Sequence, residues 1–466
     1  MKSPSLILAA SLVLGACTLG PDFQRPAIFG GTKWKESQVT SPACLPDTWW
    51  CLFGDRELTG LIQRALSANY DLSAASARVQ TSRALIGVDR ARWFPTLSLN
   101  GKGGIARASQ DATASQLPPG ITIDLESQRY RGTFDLSYDP DLWGRNKRLV
   151  QAATAQAEAS EALLDAQRLG VATEVARQYF LLSGLDAQET VLLETIRTRQ
   201  STHEIQKSKA DAGLIDGLST SQARTELELA RNDLAVVQRQ RGSAEHALAV
   251  LCAKSPSEFS LPRRKPSAPL PTLHASPPAQ VLARRPDVRA AEQVLRATTA
   301  RIGVAEAAFY PSFTLGTGAG LEAADVKNFL DWENRVLSLG AGVAAPIIDG
   351  GANKANYQAA LSRRDEALAA YRNSLLVALR EVEDCLADLK GLARSRAALE
   401  RALTSAKETL RLSQERYDKG LSSYLEVVEA DRTVLRVQLV LAQTDAQQRI
   451  TLAALAKALG GGWSGK

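Results

Sequence analysis

Histidine, methionine and aromatic residues are scarce in this sequence of 466 residues. Its only methionine is Met1, aromatic residues make up 6% of the chain, and the three histidines His203, His246 and His274 are widely spaced. They form neither an HxxxH pair nor a Cys–His pair of the kind that binds zinc. The glycines from Gly316 to Gly320 are not followed by the Lys-Ser/Thr of a phosphate-binding loop. The sequence therefore predicts no enzyme and no resident metal or other cofactor.

A strong charge of one sign and long apolar runs are also missing. The chain has 56 basic and 50 acidic residues, a net charge of +6, and no basic stripe with interleaved aromatic residues, so nucleic-acid binding is not favoured. Beyond the N-terminus no apolar run reaches the roughly 18 residues of a transmembrane helix. With 45% hydrophobic and 23% charged residues, the composition still indicates a folded protein.

The N-terminus has the pattern of an export signal. Lys2 precedes an apolar stretch from Leu6 to Leu14, which lies within the roughly 7–15 residues of a signal-peptide core. The following Gly15-Ala16-Cys17 completes a sequence that resembles the bacterial lipobox. We predict a signal peptide over residues 1–16 and a lipid anchor on Cys17, made of a diacylglycerol and an N-acyl chain. An ordinary secretory signal with an incidental cysteine is the alternative.

Four further cysteines follow in the chain. Cys44 and Cys51 stand close together in an exported protein, so a local disulfide is predicted, with two free thiols as the alternative. Cys252 and Cys385 stand alone in helical patterns. We expect both to be small buried hydrophobic side chains.

One structural unit occurs twice in the chain. Ile86-Gly87-Val88 and Pro95 recur 216 residues later as Ile302-Gly303-Val304 and Pro311. Pro140 recurs as Pro346 after 206 residues, and Gly213-Leu214 as Gly420-Leu421 after 207. These nearly constant offsets predict a tandem duplication. We assign residues 17–57 to an N-terminal arm, 58–255 to the first repeat, 256–284 to a proline-rich linker and 285–466 to the second repeat.

Each repeat is predicted to combine two strands with long helices. An opening helical segment has Leu58, Leu61 and Ile62 on one face and ends before Pro95. Strict alternation from Tyr130 to Asp139 predicts a strand, and shorter alternations follow Pro95, follow Pro311 and run from Leu337 to Val343. No proline occurs between Pro140 and Pro256 or after Pro346. A helix from Gly144 to about Ala210 would be about 100 Å long, and Gly213 and Gly420 separate such helices from return helices.

Four strands per chain point to an assembly of several chains. About ten alternating residues can cross a membrane as a tilted strand, but only within a closed barrel. The smallest membrane barrels have about eight strands, so one chain cannot close a barrel, whereas three chains would supply twelve. Aromatic residues at the strand starts favour this interpretation over a soluble β-hairpin packed on a core; they are Trp93, Phe94, Phe309 and Tyr310. The long helices would continue as a hollow cylinder, with a solid coiled coil as the alternative.

Four segments carry a resemblance to a known family: Cys17 with the following Gly20–Pro26, Arg284–Glu292, Ile302–Ala305 and Phe309–Pro311. In these segments the chain resembles the NodT-type outer-membrane efflux lipoproteins of the TolC-like outer-membrane factor family, and the resemblance covers nearly the whole mature chain. It implies a mostly α-helical fold with a transmembrane β part. A trimeric twelve-stranded barrel, four strands from each chain, would continue into a long periplasmic α-helical barrel. Thr18 after Cys17 implies the outer membrane of a Gram-negative bacterium.

The resemblance also implies a function. The chain would be the passive exit duct of a tripartite efflux system for drugs, solvents or toxic compounds, in which a periplasmic adaptor and an inner-membrane transporter of the RND type are the partners. The absence of methionine from the mature chain gives methionine-rich copper handling no support. A lipidated periplasmic adaptor or scaffold and a type I protein secretion duct are the alternatives.

Two sets of residues match the functional positions of the family. Gly213, Leu214, Gly420 and Leu421 match the helix-to-helix turns that meet the adaptor. Glu426 and Glu429 resemble the acidic rings of the gate; they are three residues apart and share one helix face, so three chains would stack two carboxylate rings. Tyr417 matches a gate tyrosine that some members tie to an acidic residue. Ser219 departs from that pattern, so Asp216 or a different chain would have to supply the partner.

Overall fold

The computed structural model describes residues 18–27, 34–36, 45–109, 125–264, 269–271, 273 and 275–461. The signal peptide, Cys17 and Cys44 lie outside the described residues. Cys51 is exposed and forms no disulfide with another described residue. The lipid anchor and the Cys44–Cys51 disulfide therefore stay predictions.

The first repeat begins after a short 3-10 helix over Trp49–Phe53. Its elements are α1 (Arg56–Ala68), α2 (Tyr70–Ala91), β1 (Thr96–Arg107), β2 (Glu126–Tyr138), α3 (Arg145–Asp211) and α4 (Gly217–Leu251). The opening helical segment, predicted as one piece, is divided at Asn69. The Asn69 side chain accepts hydrogen bonds from the backbone N–H groups of Asp71 and Leu72 at 2.9 and 3.1 Å. It therefore caps α2, as Asp55 caps α1.

The second repeat has the same elements in the same order. They are α5 (Pro278–Arg284), α6 (Pro286–Ala307), β3 (Ser312–Ala323), β4 (Arg335–Ala344), α7 (Ala352–Asp418) and α8 (Tyr424–Ala458). The long helices α3 and α7 both have 67 residues, and the return helices α4 and α8 both have 35. Helix α5 lies inside the segment that the sequence analysis assigned to the linker, so the repeated order of elements begins before residue 285.

The described chain divides into two compact units, and each unit draws on both repeats. The first, here called the sheet unit, comprises residues 18–25, Gln80–Ala159 and Glu292–Ala369. The second, the helix unit, comprises the described residues of Pro26–Val79, Ser160–Ala291 and Ala370–Lys466.

The sheet unit contains one antiparallel sheet with the strand order β1-β2-β3-β4. All four strands predicted from alternation are confirmed. The register places Leu99 opposite Phe134, Phe134 opposite Ala319 and Ala319 opposite Leu337. Because side chains of paired residues point to the same side of a sheet, the alternating apolar side chains of all four strands share one face.

The two faces of this sheet differ sharply in polarity. On the apolar face Leu97, Leu337 and Leu339 are 66%, 83% and 88% exposed. The opposite face, here called the polar face, carries hydroxyl, amide and charged side chains of β1 and β2 and the glycines of β3. Gly320 is required there, because a Cβ at this position would lie 2.0 Å from the backbone oxygen of Gly132. Each chain thus presents a large exposed apolar surface on a sheet whose outer strands, β1 and β4, pair with no further described strand.

The helix unit has its own hydrophobic core. Trp49, Leu58, Ile62, Val175 and Leu248 are nearly inaccessible within its largest cluster. Small residues let helices approach closely, since a Cβ at Gly184 would lie 2.5 Å from the Cβ of Ala446. Cys252 is also buried in this core, as predicted, while Cys385 is only partly buried. None of the helices within the described ranges is both long and apolar enough to span a membrane.

Candidate functional site

The two helix-to-helix turns of the helix unit have the same backbone geometry. The N–H groups of Gly213 and Leu214 donate to the carbonyls of Ala210 and Lys209, both at 2.9 Å. Gly420 and Leu421 repeat these two hydrogen bonds with Tyr417 and Arg416 at the same distances. The glycines have φ angles of +71° and +69°. This is the Schellman arrangement, in which a left-handed glycine ends a helix.

Leucines cover the outside of both turns. Leu214 and Leu421 are 75% and 68% exposed, and the equivalent pair Leu218 and Leu425, four residues further on, is also exposed. Each turn therefore presents two leucines to its surroundings, and the sequence analysis had selected only the first of each pair. The assignment of these tips to adaptor contact stays a prediction.

Tyr417 is tied to the first repeat, but through a residue that the sequence analysis did not name. Its hydroxyl donates to Oε1 of Gln206 on α3 at 3.0 Å, and its ring packs against Tyr424 with 5.4 Å between centroids. Ser219, which departs from the family pattern, and Asp216, the alternative partner within the chain, lie beyond the turn on the α4 side. Gln206 is two helical turns earlier on α3, which is why spacing within the turn could not identify it.

Glu426 and Glu429 are both exposed on α8 and line a shared cavity with Leu425 and Thr433. Glu429 accepts a hydrogen bond from Nη1 of Arg432 at 2.6 Å, and Glu426 lies 4.0 Å from Nε of Arg416. Each carboxylate therefore has a basic neighbour in its own chain. Whether the two residues form acidic rings depends on the assembly, so that assignment stays a prediction.

Behind these residues lies a buried charged network that the sequence analysis missed. Its centre is Glu226 on α4, whose side chain is 6% exposed. Glu226 pairs with Nη1 of Arg199 on α3 at 3.2 Å and accepts from Nε of Arg432 on α8 at 2.9 Å. Arg199 also pairs with Asp431 at 2.8 Å. The network therefore links the α3–α4 hairpin to α8.

The electrostatics of this region follow from burial and from these contacts. Hydrogen bonding to Glu226 raises the pKa of the Arg432 guanidinium, so this group stays charged. Burial, aided by the negative charge of Asp431, raises the pKa of Tyr424 to about 12. At neutral pH the tyrosine is therefore a neutral group. Among the described residues no cluster of three or more His, Cys, Asp or Glu side chains could hold a metal ion.

The residues after Cys17 are held firmly within the sheet unit. The Arg148 guanidinium donates to the carbonyls of Leu19 and Gly20 at 2.9 and 2.7 Å and to Asp22 at 3.0 Å. Gly20, with φ +85°, lies against Gly303, where a Cβ would be 2.3 Å from the Cα of Gly303. The segment that follows the predicted lipid anchor is thus fixed to α3 and α6 rather than left as a loose tail.

These features define the class of the protein. Two exposed helix turns with the same geometry, together with a sheet that exposes one apolar face, characterise an outer-membrane channel subunit built by duplication. The chain belongs to the family of outer membrane efflux proteins, because the model of that family matches residues 61–254 and 278–461. The resemblance stated from the sequence is confirmed.

Curated relatives and solved structures agree with this assignment. Outer membrane protein OprJ of Pseudomonas aeruginosa is 31% identical over 470 residues, covering 99% of this chain and 97% of OprJ. Toluene efflux pump outer membrane protein TtgI of Pseudomonas putida is 32% identical over 475 residues, covering 100% and 99%. The solved structure of the outer-membrane channel OprN has a TM-score of 0.88 at 28% identity and covers 96% of this chain and all of its own. The chain is therefore an outer-membrane component of an efflux system.

Proposed function

We propose that three copies of this chain form a channel through which an efflux pump discharges small toxic molecules across the outer membrane. The sheet carries this proposal. Its apolar face would require lipid or another apolar cover. The free edges of its outer strands carry backbone N–H and C=O groups to which lipid cannot form hydrogen bonds. Four strands are too few to close a barrel, whereas three chains contribute twelve. The helices α3, α4, α7 and α8 would form the periplasmic part of the same duct.

The partners follow from the two turns. Leu214 and Leu218 in one repeat and Leu421 and Leu425 in the other are exposed apolar side chains on rigid, glycine-capped turns. Exposed leucines at equivalent positions suit a protein interface, and we assign them to a periplasmic adaptor. The adaptor would connect the duct to an inner-membrane transporter, here expected to be of the RND type. The chain itself would catalyse no reaction and would carry no cofactor other than the lipid on Cys17.

The lipid anchor is supported by its surroundings. Arg148 is nearly buried and holds the backbone of Leu19 and Gly20, so an acyl group on Cys17 would sit within two or three residues of a fixed point. Several acyl chains, at about 0.8 kcal/mol per buried methylene, form a durable anchor. The contacts of Arg148 would hold that anchor at a fixed position relative to the sheet.

The cargo is proposed from the relatives and from composition. The similar proteins named above include a toluene efflux pump component, and another relative of 30% identity, from Escherichia coli, is a cation efflux system protein, CusC. This chain has no methionine after Met1, so it lacks the thioether ligands that suit copper(I). We therefore favour organic molecules such as solvents and drugs over metal cations.

The gate of the duct is proposed to lie at the ends of the hairpins. Tyr417 bonded to Gln206, and Arg432 bonded to Glu226, hold the two repeats of one chain together there. Separation of these contacts would let the α7–α8 hairpin move away from α3 and α4. Glu426 and Glu429 would then line the passage, where acidic side chains attract cations.

Gel migration and complementation test the proposal. An unheated sample of the purified protein should run as a trimer and a heated sample as a monomer, and the gene should restore solvent tolerance to a strain that lacks it. Changing Leu214 and Leu421 together to Ser should abolish tolerance but leave the trimer intact. Changing the exposed Leu163 and Leu376 of the long helices to Ser is the matched control. A monomer without heating, or full tolerance in the tip variant, would contradict the proposal.

A further inference from the structure

Three basic side chains gather on the polar face of the sheet. Lys102 of β1 lies directly opposite Arg131 of β2, and Arg129 lies opposite Gly104 of β1. Since alternate residues of a strand share a face, Lys102, Arg129 and Arg131 point to the same side as Ser98 and Thr133. They occupy the half of the sheet that lies away from the strand ends joined to α2 and α3.

The direct pairing of Lys102 with Arg131 does not stabilise the sheet. Like charges directly opposite each other on paired strands are destabilising, and Lys102 and Arg131 are such a pair. Among the described residues, the ion pairs of Arg129 and Arg131 both go to Glu322, at 3.4 and 3.5 Å. In this part of the face the single carboxylate of Glu322 therefore lies among three positively charged side chains. The side chains of Arg129 and Arg131 are 79% and 46% exposed, so their charges remain accessible.

The nearest other acid on this face is already engaged. Oδ2 of Asp135 accepts hydrogen bonds from Asn100 at 2.7 Å and from Thr133 at 3.0 Å. Asp135 lies closer to the helix-joined ends of the strands than the cations do. The polar face is therefore divided along the strands into a part that holds the hydrogen-bonded carboxylate of Asp135 and a part with an excess of positive charge.

We propose that these cations form a ring that binds multivalent oxyanions inside the outer half of the channel. The inference rests on the proposed function, because only a closed trimer turns the polar face into a lumen and repeats the cluster around it. Each chain would add three cations against the carboxylates of Glu322 and Asp135, and because Asp135 lies nearer the helix-joined strand ends, the excess of positive charge lies in the other half of the sheet. Guanidinium groups suit such ligands because they donate paired hydrogen bonds to oxyanions. Phosphate groups of membrane lipids are not the ligand, because they would meet the opposite, apolar face.

Single-channel recording with inorganic tripolyphosphate tests the ring. Purified trimers are inserted into a planar bilayer, and tripolyphosphate is added to each chamber in turn. The wild-type channel should be blocked, and at lower concentration from one side, because the cluster lies toward one end of the strands. The double variant Lys102→Ser, Arg131→Ser should need about tenfold more tripolyphosphate for half-block, since it loses the charge-assisted hydrogen bonds of two cations per chain.

The matched control is Arg107→Ser. Arg107 belongs to the same strand end but to the apolar face, where it lies 3.5 Å from Glu126. This variant should be blocked like the wild type. Open channels that tripolyphosphate does not block, or equal block of the wild type and the double variant, would overturn the ring but leave the proposed channel intact. Failure of the wild-type protein to form any channel would instead overturn the proposed function, and the ring with it.

Discussion

Replacing Glu226 by Gln tests whether the buried network holds the hairpins together. The substitution keeps the size of the side chain but removes the charge that faces Arg199 and Arg432. Breaking a buried ion pair costs about 3–5 kcal/mol when its partner is left alone. Here Arg199 keeps Asp431 and Arg432 keeps Glu429, and the Arg432 side chain is 40% exposed. We therefore expect a smaller loss, of about 2–3 kcal/mol, from two weakened charge-assisted hydrogen bonds.

A loss of this size should be visible in the movement of the hairpins. Since every 1.4 kcal/mol is tenfold, the equilibrium between joined and separated hairpins should shift by a factor of about 30 or more. Amide hydrogen exchange should accelerate by a similar factor in the first turns of α4 and α8, and single channels should open more often. Exchange in α2, which carries no member of the network, should stay unchanged.

Glu228→Gln is the matched control for this experiment. Glu228 lies two residues further along α4, is exposed and pairs with Arg231 on its own helix at 2.8 Å. An exposed pair of this kind contributes about 0.3–0.5 kcal/mol, so its removal should change neither exchange nor channel opening. If Glu226→Gln behaves like Glu228→Gln, the network does not join the hairpins and the reasoning is refuted.

Three further substitutions test other parts of the structure. Gly420→Ala should destabilise the turn by about 1–2 kcal/mol, because the φ angle of Gly420 is +69°. The control Gly391→Ala lies inside α7, where a Cβ also has open space, and it should stabilise the helix by about 0.5–1 kcal/mol. Equal shifts in the melting temperatures of the two variant trimers would contradict this. Burial opposes ionisation of Glu189, but the hydrogen bonds from Arg263 and Gln238, together with the positive charges of Arg263 and Arg241, outweigh it and lower the pKa of this carboxyl. The contribution of ionised Glu189 to stability is thus present above the ordinary pKa of about 4.3 and lost as the pH falls below it. Glu189→Gln should therefore reduce the dependence of the unfolding free energy on pH in the acid range. An unchanged pH dependence would refute the role given to Glu189. Arg148→Ala should make the segment around Asp22 more sensitive to proteases, since it removes three hydrogen bonds to residues 19–22. The control Arg145→Ala, at an exposed neighbouring position, should leave cleavage unchanged. Equal cleavage of the two variants would count against the role of Arg148 in holding this segment.

The repeated elements could be predicted from the sequence because their signals are local. Alternation from Tyr130 onward, the proline-free stretches after Pro140 and Pro346, and the Gly-Leu pairs all express rules that act over a few residues. The break at Asn69 follows the same kind of rule. An asparagine before a helical segment is a capping signal, but the apolar stripe on both sides of it suggested one continuous helix.

The contacts between helices could not be predicted in the same way. Glu226, Arg199 and Arg432 lie on three different helices, and no spacing in the sequence connects them. Each of them alone reads as an ordinary charged residue of a solvated helix face. Gln206 was missed for the same reason, because its partner Tyr417 lies 211 residues away. Only the register between helices reveals that these side chains meet.

The duplication itself explains how a symmetric scaffold acquired this asymmetric network. Helices α3 and α4 correspond to α7 and α8 at an offset of 207 residues. At that offset Arg199 corresponds to Ala406, Glu226 to Thr433, Arg432 to Thr225 and Glu429 to Gln222. At these four positions a charge of the network corresponds to a small or uncharged residue in the other repeat, whereas Asp431 corresponds to the oppositely charged Arg224.

The network therefore joins the two repeats through residues that differ between them. The glycine turns, by contrast, recur in both repeats with φ angles of +71° and +69°, because every hairpin needs a helix end. Positions that build the hairpins are therefore repeated, and positions that join them have diverged.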